Sequence, residues 1–310
     1  MSYYPSVYVL ILNWNGGMMT TECVESVLKS DYLEFKIVVI DNGSTDGSIA
    51  ALREKFAQRI DIIENHANLG YARGFNEGLE YAFIKNSADY CLVMNNDTII
   101  DPKSISALVQ IAETEEKIGF VTGKVYYYYD PGVFQSVGMA EDPIRWRGEH
   151  IGAGERDVGQ YDEVSERSFA DDVYTLIRKK LYSETGGYDP NFFLQSEETD
   201  WQARAKKLGY KIMYTPHAKL WHKVSMTLGL DSALKAYYDA RNPMLVILLH
   251  KQAPFFRRFF WVHLRMDVAR SSLVYLKQGR LTPALAKWQG FLSAILWGYR
   301  NKKFTLRHFF

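Results

Sequence analysis

Two cysteines, Cys23 and Cys91, are all that the 310 residues contain. Cys91 sits in an apolar run and Cys23 in a helical pattern, so both are expected as buried, reduced thiols, and the chain is expected in the cytosol. Long apolar runs are also missing. None approaches the ~18 consecutive apolar residues of a membrane-spanning helix. The first apolar segment, Val7 to Leu12, has neither a basic flank nor a small-residue cleavage site, so no signal peptide is expected. There are no internal repeats and no low-complexity linker. With 47% hydrophobic and 24% charged residues, disorder is not indicated.

What is present is unevenly charged. The net charge of +1 conceals a carboxy-terminal stretch, 231–310, with 14 Lys/Arg against 3 Asp/Glu, whereas residues 1–230 hold 23 against 33. The basic stretch is rich in large aromatics, among them Phe259, Phe260, Trp261, Trp288, Trp297, Phe309 and Phe310. Basic and aromatic residues on amphipathic helices suit a segment lying on an anionic membrane surface. A packed helical appendage, or one that pairs subunits into a homo-oligomer, is the alternative. No recognition motif accompanies the charge, so nucleic acid is not an expected partner.

The first hundred residues alternate strand and helix patterns: strands at Val7 to Leu12, Phe35 to Ile40, Ile60 to Ile63 and Tyr90 to Met94, helices at Met18 to Lys29, Ser48 to Phe56 and Tyr71 to Ile84. Such alternation means βαβ units, a mainly parallel sheet, and ligands at the carboxyl ends of its strands. Residues 118–129 read as a strand running into an aromatic loop, and 130–168 show little periodicity, as a binding loop or lid would. A strand follows from Val173 to Ile177, a helix from Glu197 to Leu208 closed by Gly209, and a strand from Lys211 to Tyr214. Beyond Leu230 the pattern is helical, interrupted by Pro243, Pro254 and Pro283. The expected division is therefore 1–230 and 231–310.

Polar clusters punctuate the strand ends. Asp41-Asn42-Gly43-Ser44-Thr45-Asp46-Gly47 is either a capped turn or a loop that meets a base edge; it is not a P-loop, and it lacks the G-x-G-x-x-G spacing. Asn68-Leu69-Gly70 through Arg73 to Asn76 suits a diphosphate near a helix start, or a tight loop with an exposed arginine. Asn95-Asn96-Asp97-Thr98 places a lone acid at a strand's carboxyl end. Glu197, Glu198 and Asp200 open a helix, where the dipole favours acids in any case, and two adjacent acids there point in different directions. The segment Gly186 to Phe193 before them offers aromatic rings for stacking on a sugar. His222 lies between apolar neighbours, as a core residue or a ligand. Asp97, a carboxylate pair and a histidine can together hold a divalent ion and deprotonate a hydroxyl, which argues for a metal-assisted transferase.

In this order, with Ile11-Leu12-Asn13-Trp14-Asn15-Gly16 ahead of them, these motifs resemble family 2 glycosyltransferases of the GT-A fold, especially their rhamnosyltransferase-like branch, over residues 6–225. Tyr237-Tyr238-Asp239-Ala240-Arg241-Asn242 is also similar to that branch. The resemblance implies an α/β GT-A fold, with a mainly parallel central sheet, helices on both faces and a carboxy-terminal helical appendage. It implies that Asn13, Asp41, Asn68, Gly70, Arg73, Asn76 and Asn96 bind a nucleotide-diphosphate sugar, dTDP-rhamnose first and UDP-hexoses next. Asp97 and His222 would hold Mn²⁺ or Mg²⁺, Glu198 would be the catalytic base, and Glu197, Asp200, Trp201 and Asp172 would position acceptor or sugar. The acceptor would be a glycan or a polyprenyl-linked one, met by a peripheral protein at the inner face of the cell membrane. Three departures stand out: Asn95 replaces the first acid of the family's D-x-D motif, Glu198 replaces an Asp, and Asp172 stands where many relatives have glycine. A nucleotidyltransferase is the competing class, but 13–17 lack its basic glycine-rich loop; a non-catalytic relative is the other alternative.

Overall fold

The computed structural model describes residues 4–146, 148–224 and 232–304. The boundary expected at residue 230, together with Phe309 and Phe310, lies outside the described residues. The alternating half folds as its pattern predicts: β1 (Val7–Asn13), α1 (Gly17–Val27), β2 (Phe35–Asp41), α2 (Ser48–Phe56), β3 (Ile60–Glu64), α3 (Gly70–Glu80, continued by a π turn at Tyr81–Lys85) and β4 (Tyr90–Asn95). A short β5 (Thr98–Ile100) and α4 (Ser104–Ala112) follow.

The less periodic middle is more ordered than its sequence suggests. It holds β6 (Ile118–Tyr127), β7 (Asp130–Ser136), β8 (Met139–Glu141), β9 (Gly148–His150) and β10 (Ser165–Glu166). Part of it is pinned electrostatically: the buried Lys124 ammonium donates to Asp157 at 2.8 Å and Asp162 at 2.5 Å. Burial alone would raise the Asp157 carboxyl, but hydrogen bonds from Lys124 and Tyr126 bring it down to about 2. The chain then forms β11 (Tyr174–Arg178), α5 (Lys179–Thr185), α6 (Glu197–Lys207) and β12 (Lys211–His222), which runs eight residues beyond the expected end at Tyr214.

The strands order as β10-β12-β6-β11-β4-β1-β2-β3. The pairings of β1 with β2 and β4, of β2 with β3, and of β6 with β12 are parallel. Strand β11 is inserted antiparallel between β4 and β6. Helices cover both faces. One core packs α1, α2 and α4 on the sheet through Val24, Leu52 and Leu108; the other packs α3, α5 and α6 through Phe75, Leu181 and Trp201. Burial on both sides is what lets β1, β2 and β4 be continuous apolar runs.

The carboxy-terminal region is α7 (Ala233–His250), α8 (Ala253–Val262, continued by a π segment at His263–Arg270), α9 (Ser271–Lys277) and α10 (Leu281–Arg300). Pro243 does not interrupt it, contrary to expectation. α7 runs through that residue, the ~3 kcal/mol cost of an internal proline being offset by burial of Ala240, Met244, Leu245 and Ile247. Pro254 and Pro283 fall in the first turns of α8 and α10, where no helical N–H is lost. These helices share one apolar cluster with Met139, Trp146, Phe169, Phe192 and Ala203 of the α/β part, so the charge shift does not separate two cores.

Candidate active site

The register of the strands decides what meets at their carboxyl ends. Asn13 faces Asp41 across β1 and β2, and Leu12 faces Asn95 across β1 and β4. Because β11 runs antiparallel, its start, Asp171-Asp172-Val173, arrives at that same edge, with Asn95 N–H donating to Val173 O at 3.0 Å. β12 returns antiparallel to β5 and sets His222 opposite Thr98. The outcome is one cavity of ≈ 880 Å³ whose wall includes Asn68, Gly70, Asn96, Asp97, Asp172, Glu197, Glu198 and His222.

His222 Nε2 lies 3.1 Å from Asp97 Oδ1, and its Nδ1 is 2.8 Å from Gln135 Oε1 of β7. With the ring proton on Nδ1, a neutral imidazole turns a lone pair toward a carboxylate oxygen. A cation held between oxygen and nitrogen resolves that opposition, as does the other tautomer, with Nε2–H donating to Asp97 and the Gln135 amide turned to donate to Nδ1. One carboxylate and one imidazole are a fitting partial shell for a divalent ion that takes its other ligands from phosphate and water. No cluster of three or more such side chains occurs among the described residues, so a metal here would depend on substrate oxygens.

The same cavity holds a nest of acids. Burial and the charge of Glu198 push the Glu197 carboxyl well above its ordinary range, and burial and Glu198 do the same to Asp172. Glu198 itself is raised to about 7, by desolvation and by Asp171. Both glutamates line the cavity, although adjacent helix positions were expected to diverge. Gln195 and Ser196, at φ 69° and 70°, turn the chain sharply into α6. Glu197 is 4% exposed and its Oε2 has no hydrogen-bond partner. A carboxylate poised near neutrality beside a neutral carboxylic acid can accept a proton while its neighbour donates a hydrogen bond.

Several expected site residues also hold the scaffold or stand off the cavity wall. Asn13 and Asp41 are buried and absent from the cavity wall: Asn13 Nδ2 donates to Asp41, and Asp41 accepts from Gly43 N, Ser44 N and Ser44 Oγ, holding its own loop as an Asx turn does. Arg73 is exposed and off the wall, since the turn at Asn68 starts α3 with that position facing outward. Asn76 clamps Tyr188 through both its N–H and C=O, at 2.9 and 2.8 Å. Trp201 is buried with Nε1 on Thr185 Oγ1 at 2.7 Å. Asp200 accepts from His250 Nε2 at 2.8 Å and Arg204 Nε at 2.9 Å; burial would raise it, but these partners hold it below its ordinary value. Of the aromatic approach before α6, Tyr188 and Phe192 are buried, Tyr188 OH donating to Asp172 at 2.7 Å, and only Phe193 reaches the cavity.

Asn68 and Gly70 do line it. Asn68 Oδ1 accepts from Gly70 N–H, and Gly70 has φ +78°, where any Cβ would strike Phe193 O at 2.4 Å. Asn96 is on the wall with its Nδ2 on Thr20 Oγ1. Gln135, His150 and Asp171 were not expected. Asp171 stood next to Asp172 in the sequence, but Gln135 and His150 lie in the stretch without periodicity. The helical region also contributes directly. Asn242 donates to Leu194 O and Gln195 O, and Arg241 to Asn191 O, so α7 fixes the loop that aims Glu197 and Glu198.

Comparison with known proteins bears on the family and the fold. The model of the family described as Glycosyl transferase family 2 matches residues 8–186. Poly-beta-1,6-N-acetyl-D-glucosamine synthase of Staphylococcus epidermidis is 24% identical over 221 residues, 71% of this chain and 50% of its own. The synthase of that name from Staphylococcus aureus (strain COL) is 26% identical over 222 residues. The chain thus spans about half the length of these curated relatives. Among solved structures, GalNAc-T7 with UDP, GalNAc and Mn²⁺ superposes with a TM-score of 0.61 at 14% identity, over 87% of this chain and 57% of that one. The mannosyltransferase PcManGT from Pyrobaculum calidifontis, in complex with GDP-Man and Mn²⁺, gives 0.57 at 16% identity, over 97% and 84%. S. aureus TarS 1–349 gives 0.57 at 15% identity, over 94% and 81%. The fold is GT-A.

Proposed function

The chain belongs to glycosyl transferase family 2, and on that premise we propose that it moves a sugar, with inversion, from a nucleoside-diphosphate donor to a hydroxyl of a glycan or polyprenyl-linked acceptor in cell-surface polysaccharide assembly. The observation that carries this reading is Glu198, raised to about 7 in the same cavity as the Asp97–His222 pair. Glu198 takes the acceptor proton as the hydroxyl oxygen attacks the anomeric carbon, and the bond to the donor diphosphate breaks with its electron pair on the departing oxygen. Glu197, its carboxyl raised well above the ordinary range by burial and by Glu198, orients a sugar hydroxyl. Asp97 and His222 would hold Mn²⁺ or Mg²⁺, which when bound offsets the charge of the leaving diphosphate. The names of the synthases and the ligands in the similar structures favour this substrate class. dTDP-rhamnose is the first donor to try and UDP-hexoses the next.

A thermal-shift screen of nucleotide-sugars, each with Mn²⁺, Mg²⁺ or EDTA, tests the donor assignment. One nucleotide series is expected to raise Tm by on the order of 5 °C at about 100 Kd, only with metal. A flat response across the panel would remove the donor assignment.

The reading extends to the cell membrane. No helix among the described residues is long and apolar enough to cross a membrane. Yet α10 carries Leu281, Leu285, Trp288, Leu292, Leu296 and Tyr299, each at least 40% exposed, at spacings that form one stripe. Exposed Arg257, Arg258, Arg265, Lys277 and Arg300 lie on the same group of helices, and Lys302 and Lys303 follow α10. An apolar stripe with basic surroundings matches the interface of an anionic bilayer. Deleting residues from 231 onward would also remove Asn242 and His250 from α6, so point changes make the cleaner test. The unaltered chain is expected to sediment with anionic vesicles, and Leu285→Asp with Leu292→Asp to weaken this at least about tenfold. Recovery of the unaltered chain in the supernatant rejects the membrane. A dimer that the double variant splits makes a second copy the occupant.

A further inference from the structure

We infer that the carboxy-terminal helices build a second, cationic binding surface in the same cavity, one that takes a phosphate or diphosphate ester; resting on the reading above, it would receive the phosphorylated part of the acceptor. Two helices turn evenly spaced residues into the cavity: Lys235, Asp239 and Pro243 along α7, and Phe259, His263 and Asp267 along α8 and its π segment. Lys287 of α10 and Arg145 of the β8–β9 turn complete the wall. A π segment is an uncommon feature that recurs at functional sites.

These charges satisfy one another only in part: His263 Nδ1 lies 3.1 Å from Asp267 Oδ2 and Arg145 Nη1 3.9 Å from Asp142 Oδ2, while two donors are held at longer range. Asp239 accepts from Lys235 Nζ at 3.0 Å, while the Lys287 ammonium lies 3.5 Å from the same carboxylate. Lys287 is 6% exposed, and burial pulls its ammonium below the ordinary lysine range despite Asp239. Arg145 Nε is buried without a hydrogen bond, 3.5 Å from Asp267 Oδ2. His263 Nε2 bonds to Ala240 O at 2.8 Å, joining the two charged groups across adjacent helices. A buried donor left as Arg145 Nε is costs free energy. An anion with several acceptor oxygens would satisfy Arg145 Nε and give Lys287, held only by a 3.5 Å pair with Asp239, a closer partner. Pro243, Val246, Phe259 and Trp146 on the same wall would accept an alkyl chain attached to it.

Calorimetry in EDTA, with the full chain and farnesyl diphosphate, inorganic pyrophosphate and farnesol as probes, tests this. Farnesyl diphosphate is expected to bind, Lys287→Met to weaken it about tenfold or more, and Lys287→Arg to restore most of the loss. Asp97→Ala should bind it like the unaltered chain. Pyrophosphate binding as tightly as farnesyl diphosphate keeps the cationic site and assigns it free phosphate esters. The inference is overturned if neither phosphate binds, if farnesol binds as well as its diphosphate, if a folded Lys287→Met is unchanged, or if Asp97→Ala also loses binding, which would put the probe in the donor site. A flat donor screen, by contrast, removes the donor reading and leaves these outcomes intact.

Discussion

Replacing Glu198 by glutamine is expected to lower turnover about 10²–10⁴-fold, the usual contribution of a positioned general base, while nucleotide-sugar affinity stays unchanged. The amide keeps the shape of the side chain and removes only its ability to take a proton. In the unaltered enzyme kcat should rise as pH passes through about 7, where the Glu198 carboxyl ionises. Glu197 and Asp172 lie close enough that this limb belongs to the group of acids and not to one carboxyl alone. The variant should lose the limb. Its stability moves the opposite way. A carboxyl raised from its ordinary value of 4.5 to about 7 binds its proton more tightly folded than unfolded, so its contribution is fully present below about 4.5 and lost as pH rises through about 7. Glu198→Gln removes that loss, and its Tm at pH 8 should equal or exceed that of the unaltered chain. Near-normal kcat in a folded variant would take the role from Glu198 and pass it to Glu197 or Asp171.

The elements that were legible are those with a local period. Strands β1 to β4 and the helices between them are continuous apolar runs and amphipathic stretches, and these fold as read. The antiparallel insertion of β11 was not legible, because pairing Tyr174 with Met94 is decided by contacts eighty residues apart. Strands of two or three residues, such as β8, β9 and β10, carry too few positions to show alternation. At the site, sequence located the loops but not the direction of each side chain. Asp41 and Asn76 have the chemistry of binding residues, and in the fold they also bond to their own turn and to Tyr188. A carboxylate followed three residues later by serine, as in Asp41 and Ser44, is itself a turn pattern and signals that use. His222 and Asp97 came together because β12 runs on past Pro216 to reach β5, an extension that the apolar spacing of Leu220 and Trp221 hints at.

That meeting supports the second large effect. Asp97→Ala is expected to abolish the metal-dependent part of nucleotide-sugar binding, by more than the roughly 10–100-fold that loss of even an outer-shell partner costs, and to leave the weak metal-free binding untouched. The change should not disturb the loop. The Asp97 backbone carbonyl still accepts from Lys223 N–H at 2.9 Å, and His222 keeps Gln135. Asp97→Asn is the sharper variant, since its amide can still meet the imidazole but carries no charge. If Asp97 only holds the His222 ring in place, the asparagine variant should bind donor with Mn²⁺ as before. If Asp97 holds the cation, the asparagine and alanine variants should fail together in titrations with Mn²⁺ and coincide with the unaltered chain in EDTA. Asn95, standing where the family's motif has its first acid, makes this outcome more extreme: the segment 95–97 has no second carboxylate to take over, and a metal left with His222 and phosphate oxygens alone would be held weakly.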